Sequence, residues 1–196
     1  TIVGPSGSGK STLYKLFCKY LDSYTGNIYI DGNNLNELDN MYISSIIAVV
    51  SQEIFLFNDT LRNNMSLGRV YSDTEIHKIL NLVGLNNFVS SQGMGLDYPG
   101  GEKCRIAIGR ALLQRKKILI LDEAFSGLDN IVAMKIEKDI LNIQDLTLIN
   151  ITHKISMKML KNYNEIVVMD SGKIVEIGDY DSLYKDKKLF FALCNE

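Results

Sequence analysis

Apolar residues recur along this chain with two different periods, and the alternation between them lays out a fold. Ile46–Val50 and Ile118–Leu121 are continuous apolar runs, as expected of strands buried on both faces. The stretch 26–32, Gly-Asn-Ile-Tyr-Ile-Asp-Gly, alternates and ends on Asp-Gly, which predicts a strand entering a turn. Thr147–Ile151 predicts a further strand, and Glu165–Asp170 with Lys173–Gly178 a hairpin about Ser171-Gly172. Helical spacing appears over Lys10–Tyr20, with Leu13, Leu16, Phe17 and Tyr20 as the apolar stripe. Weak helix is expected within 36–45, and short helices at 61–65, 74–83 and 86–91, with Thr60 and Asp73 as N-caps. Longer helices are expected at 102–114 and at 130–142, the latter capped by Asn130, and two short ones at 181–184 and 188–194.

No strand signal falls between Thr60 and Leu113, so a helical insertion at about 60–114 interrupts the alternation of strand and helix. Such alternation predicts an α/β fold with a mostly parallel sheet, whose carboxyl-end loops hold the ligand. At 196 residues the chain is one ordinary domain, and its 46% apolar and 22% charged residues are those of a globular protein. A net charge of −2 gives no reason to expect nucleic acid. Cys18, Cys104 and Cys194 are isolated, so buried thiols in a reducing compartment are expected rather than a disulfide framework or zinc. No run approaches the ~18 apolar residues of a membrane helix.

Candidate chemistry begins at Gly4-Pro5-Ser6-Gly7-Ser8-Gly9-Lys10-Ser11-Thr12, which fits G-x-x-x-x-G-K-[ST]. The glycines let successive backbone N–H groups converge on an anion, and the helix that follows adds its positive end there. Lys10 would supply a full charge to the β- and γ-phosphates, and the Ser11 hydroxyl would ligate Mg²⁺. A Gly/Ser-rich turn would match the pattern too, but the apolar stub before it and the helical stripe after it give the required strand–loop–helix context. Only three residues precede Gly4, so a longer polypeptide is expected.

Asp122-Glu123 ends a buried strand, where two acids are expensive unless a cation or proton compensates them. Asp122 would hold Mg²⁺ through water, while Glu123 would polarise an attacking water or accept its proton. His153 also ends a strand, either as an ordinary loop histidine or as a contact to the γ-phosphate. Gln52 follows a buried strand, where its amide oxygen could reach the metal or the water. Ser126–Asp129 reads as a turn before a helix.

Taken in order, these features resemble the nucleotide-binding domain of ATP-binding cassette (ABC) transporters over nearly the whole chain. Gly4–Thr12 resembles the Walker A loop, Gln52 the Q-loop residue, Ile118–Glu123 Walker B with its catalytic glutamate, Ser126–Asp129 the D-loop and His153 the switch histidine. Residues 54–64 and 172–178 are more similar to exporters than to importers. The resemblance implies a P-loop NTPase (RecA-like) core with the helical subdomain at about 60–114 and a truncated antiparallel β subdomain. It also implies ATP and Mg²⁺ as cofactors, and a place on the cytoplasmic face of the cell membrane against an exporter's transmembrane domain. In the family a second such domain pairs head to tail, and its signature closes on the first domain's ATP; Asp129 would also contact that ATP in trans.

Tyr98-Pro99-Gly100-Gly101-Glu102 stands where the family carries Leu-Ser-Gly-Gly-Gln. Pro99 removes a hydroxyl and a backbone N–H, and Glu102 adds negative charge beside a polyphosphate. Losing a bond to phosphate costs roughly 1.5–3 kcal/mol. The resemblance therefore implies a heterodimer rather than a homodimer, with an ATP-driven export motor as the leading reading. The alternatives are an ATP-binding regulatory module with little turnover and a soluble, non-transport ABC ATPase.

Overall fold

The computed structural model describes residues 1–86, 100–154 and 156–195. A six-stranded sheet forms its centre: β4 (Ile47–Val50), β5 (Ile118–Asp122), β6 (Thr147–Thr152), β1 (Ile2–Val3), β7 (Ile166–Asp170) and β8 (Lys173–Gly178), in that spatial order. Neighbours are parallel except β7 and β8, which form the expected hairpin. A separate antiparallel pair joins β2 (Tyr29–Ile30) to β3 (Asn33–Asn34) across the Asp31-Gly32 turn. The expected α/β architecture with a mostly parallel sheet is thus present.

The apolar runs are buried on both faces because helices cover both. Leu119 and Leu121 of β5 point into a core shared with α3 (Leu61–Ser66), α4 (Asp73–Leu82), α5 (Gly100–Leu113) and α6 (Asn130–Leu141). Ile120 points the other way, into a core with Tyr14 of α1 (Lys10–Phe17) and Ile43 of α2 (Asn40–Ile46). A third cluster seats α8 (Tyr180–Asp186) and α9 (Leu189–Leu193) against Val168, through Tyr180, Leu183 and Phe190. Each such leucine or isoleucine, fully withdrawn from water, contributes about 1.5–3 kcal/mol.

Several local expectations change. The first helix ends at Phe17 because Lys19 turns left-handed (φ 54°), so Tyr20 lies outside it and is 65% exposed. Its buried face is Tyr14 with Cys18 just beyond, flanked by the half-buried Leu13 and Phe17. Ser72, not Asp73, caps α4, in a reciprocal capping box with Glu75. Asp129, not Asn130, caps α6, its carboxylate accepting from the N–H groups of Ile131 and Val132. The short α7 (Met157–Leu160) carries no signal in the sequence. The helix expected at 86–91 falls almost wholly outside the described residues. All three cysteines are buried.

Candidate functional site

Parallel register brings the chemistry together. Val50 pairs with Leu121, Asp122 with Ile151, and Thr152 with Val3, so four neighbouring strands end at one level. Just past those ends stand Gln52, Glu123, His153 and the loop Gly4–Gly9. Together with Lys10, Ser11 and Thr12 they line a cavity of about 460 Å³.

The loop is shaped by close packing against the β7–β8 turn. A Cβ on Gly4, whose φ is +151°, would lie 2.0 Å from the Met169 carbonyl oxygen, so no other residue fits there. Gly172 N–H donates to the Ser8 carbonyl at 3.1 Å, tying the hairpin under the loop. This support was not foreseen from the sequence. Gly7, by contrast, has open space beside it.

Lys10 is the first residue of α1 and only 5% exposed. Its Nζ donates to the carbonyls of Gly4 (2.9 Å) and Pro5 (2.7 Å) and to Ser8 Oγ (3.4 Å). Burial lowers its pKa, partly opposed by Glu123 and Asp122. Among the described residues only uncharged dipoles bond this ammonium, with the Glu123 and Asp122 carboxylates acting on it at longer range.

Ser11 Oγ donates to Asp122 Oδ1 at 3.0 Å. Burial raises the Asp122 pKa, the Ser11 bond working against it. Glu123 leaves the strand in the left-handed region (φ 52°), its N–H still donating to the Ile151 carbonyl at 2.9 Å. That conformation costs a side-chain-bearing residue roughly 1–2 kcal/mol. It turns the carboxylate into the cavity, where each oxygen has a partner. Gln52 Nε2 donates to Oε2 at 3.1 Å, and His153 Nδ1 lies 2.8 Å from Oε1. Gln52 therefore meets the carboxylate through its N–H₂ end.

The residues expected to act on a partner's nucleotide lie apart. Glu102 is paired within its own helix to Arg105 at 2.9 Å. Gly101 approaches the D-loop turn: a Cβ there would lie 3.4 Å from the Gly127 carbonyl oxygen. Asp129 is occupied in capping α6. Pro99 lies outside the described residues, and Gly100 opens α5.

The sequence pattern described as ABC transporter matches residues 1–126. The chain is 37% identical over 205 residues to the alpha-factor-transporting ATPase of Saccharomyces cerevisiae, covering 100% of this chain and 16% of that protein. It is 38% identical over 195 residues to an ATP-dependent lipid A-core flippase of Desulfotalea psychrophila, covering 94% of this chain and 34% of that protein. The structure of a bacterial Atm1-family ABC exporter with ATP bound matches it at a TM-score of 0.90 and 30% identity, over 98% of this chain and 35% of that one. The chain thus spans between 16% and 35% of the length of these relatives. With the motif order, strand order and site geometry in agreement, the chain belongs to the ABC transporter family, as an exporter-type nucleotide-binding domain.

Proposed function

We propose that this chain is the ATP-binding and ATP-hydrolysing motor of an exporter, working on the cytoplasmic face of the cell membrane beside a transmembrane partner. The observation that carries the reading is the meeting of Lys10, Ser11, Glu123, Gln52 and His153 around one cavity, with Asp122 bonded to Ser11 beneath it. The residues suit MgATP: a glycine-lined loop at a helix N-terminus accepts phosphates, and a hydroxyl with a carboxylate offers oxygen to a hard cation. When bound, MgATP supplies an electrophilic γ-phosphorus whose charge the metal partly neutralises.

Lys10 and the loop N–H groups then orient the phosphates, while Ser11 and Asp122 hold the metal. Glu123, fixed by Gln52 and His153, aligns a water and takes its proton. Phe55 and Phe57, 68% and 50% exposed and stacked edge to face beside Gln52, offer an apolar surface to a membrane partner. Among the described residues no helix is long and apolar enough to cross a membrane.

The site is completed by the signature of a second domain. This chain's own offering lacks a serine at Pro99 and carries Glu102 bound to Arg105, which favours a different partner over a second copy. The test is ATP turnover by the chain alone and mixed with an ABC domain bearing Leu-Ser-Gly-Gly-Gln. Slow turnover alone, rising about tenfold or more on mixing, supports the reading. ATP bound but never hydrolysed in the mixture defeats the motor; equal turnover at both sites of a homodimer defeats the partner preference.

A further inference from the structure

A second cavity, also of about 460 Å³, opens behind Glu123 and His153, between α6, the end of β6 and α7. Phe125, Met134, Met159 and Leu160 give it apolar walls. Glu137 and Asn150 line it as well, although they are only 8% and 3% exposed. Asn150 Nδ2 donates to Glu137 Oε1 at 2.9 Å, and the Tyr163 hydroxyl donates to the same oxygen. Among the described residues both bonds to this carboxylate reach Oε1, leaving Oε2 open. Asn150 Oδ1 is buried and has no hydrogen-bond partner.

Among the described residues Asn150 Oδ1 is thus a deep acceptor without a donor, which is costly because it gave up water on folding. Burial raises the Glu137 pKa, with the Tyr163 and Asn150 bonds opposing it. ATP hydrolysis as described uses none of Glu137, Asn150 or Tyr163.

We propose that this cavity is a second ligand site, taking a small organic cation that carries N–H donors on an apolar body, such as an amidinium on a ring. The donors would meet Glu137 Oε2, and the ring would pack on Met134, Met159 and Phe125. A bare metal ion suits it less well, since among the described residues no group of three or more His, Cys, Asp or Glu side chains is placed to hold one. The volume lies within the ~300–1,000 Å³ range of small-molecule sites. Glu123 and His153 line both cavities, so an occupant would sit against the back of the hydrolytic pair.

Benzamidine is the probe, titrated into the nucleotide-free chain while the ¹³C-methyl signals of Met134 and Met159 are followed. Saturable shifts at both methyls are expected, with benzamide, its neutral isostere, binding about tenfold or more weakly. Glu137→Gln, which retains an acceptor for Tyr163 and Asn150, should weaken benzamidine by a similar factor. Absent saturation, equal binding of the two compounds, or undiminished binding by Glu137→Gln would each overturn the proposal. The comparison of compounds uses the unaltered chain and holds even if that variant does not fold. No nucleotide is present, so failure here leaves the motor reading untouched.

Discussion

His153 Nδ1 lies 2.8 Å from Glu123 Oε1, at the ends of adjacent parallel strands. An ionised carboxylate only accepts, so the contact places a hydrogen on Nδ1. With Gln52 on the other oxygen, Glu123 is held from both sides. The clamp offsets the left-handed backbone at Glu123 (φ 52°). A strained acidic residue held in a cavity is the expected signature of a working group rather than of a stabilising one.

Asp122 should trade stability for metal binding. Burial raises its folded pKa above 3.8. The folded state therefore binds a proton more tightly than the unfolded chain, and stability falls as pH rises from about 3.8 through the raised folded value. Above that window the full cost of the buried charge is present. Asp122→Asn should raise the Tm of the nucleotide-free chain at neutral pH, and the gain should vanish below about pH 4. Melting curves across pH check this; a gain that is constant with pH contradicts it.

Gly4 and Gly7, two of the three glycines in the loop, should differ sharply. Gly4→Ala drives a methyl to 2.0 Å from the Met169 carbonyl, in backbone that cannot move without displacing β7. It should cost on the order of 3 kcal/mol or more. Gly7→Ala meets open space and carries only the left-handed penalty of its φ of +77°, roughly 1–2 kcal/mol. Urea midpoints of the two variants measure the difference.

Asn64 should matter more than its place in a short helix suggests. It is fully buried, accepts from the Phe57 N–H at 2.8 Å and donates to the carbonyls of Phe57, Asp59 and Thr60. Arg110 of α5 donates to its backbone carbonyl at 2.8 Å and reaches the Phe55 carbonyl at 3.1 Å. Asn64→Ala removes the partner of the Phe57 N–H and of the Asp59 carbonyl while leaving the Arg110 bonds to backbone carbonyls in place, for about 2–4 kcal/mol of stability. It should also free the Phe55–Phe57 segment, visible as faster amide exchange at Phe57.

Much of this site is legible from the sequence because a parallel sheet gathers strand ends. Once Val50, Leu121, Ile151 and the stub before Gly4 are read as strand termini, Gln52, Glu123, His153 and the phosphate loop must converge. The contacts among them are less legible. Nothing in the spacing says that Gln52 meets Glu123, or that the Ser171-Gly172 turn props up the loop at Ser8. Helix ends are less legible where neighbouring residues compete for one role, as Ser72 with Asp73 and Asp129 with Asn130. Lys19 ends α1 without a glycine to announce it. The Glu137–Asn150–Tyr163 cluster is invisible in the chain order, because each polar residue alone reads as exposed and only packing of three elements buries them together.

The central claim is that Glu123 activates the water that attacks bound ATP. Single-turnover hydrolysis by wild type and Glu123→Gln, each mixed with an ABC domain carrying an intact signature, tests it most directly. The amide keeps the size of the carboxylate and can still bond to Gln52 and His153, but it cannot take a proton. The account predicts a rate lower by roughly 10²–10⁴-fold with ATP affinity nearly unchanged. A rate within about threefold of wild type, well short of that general-base effect, would contradict it.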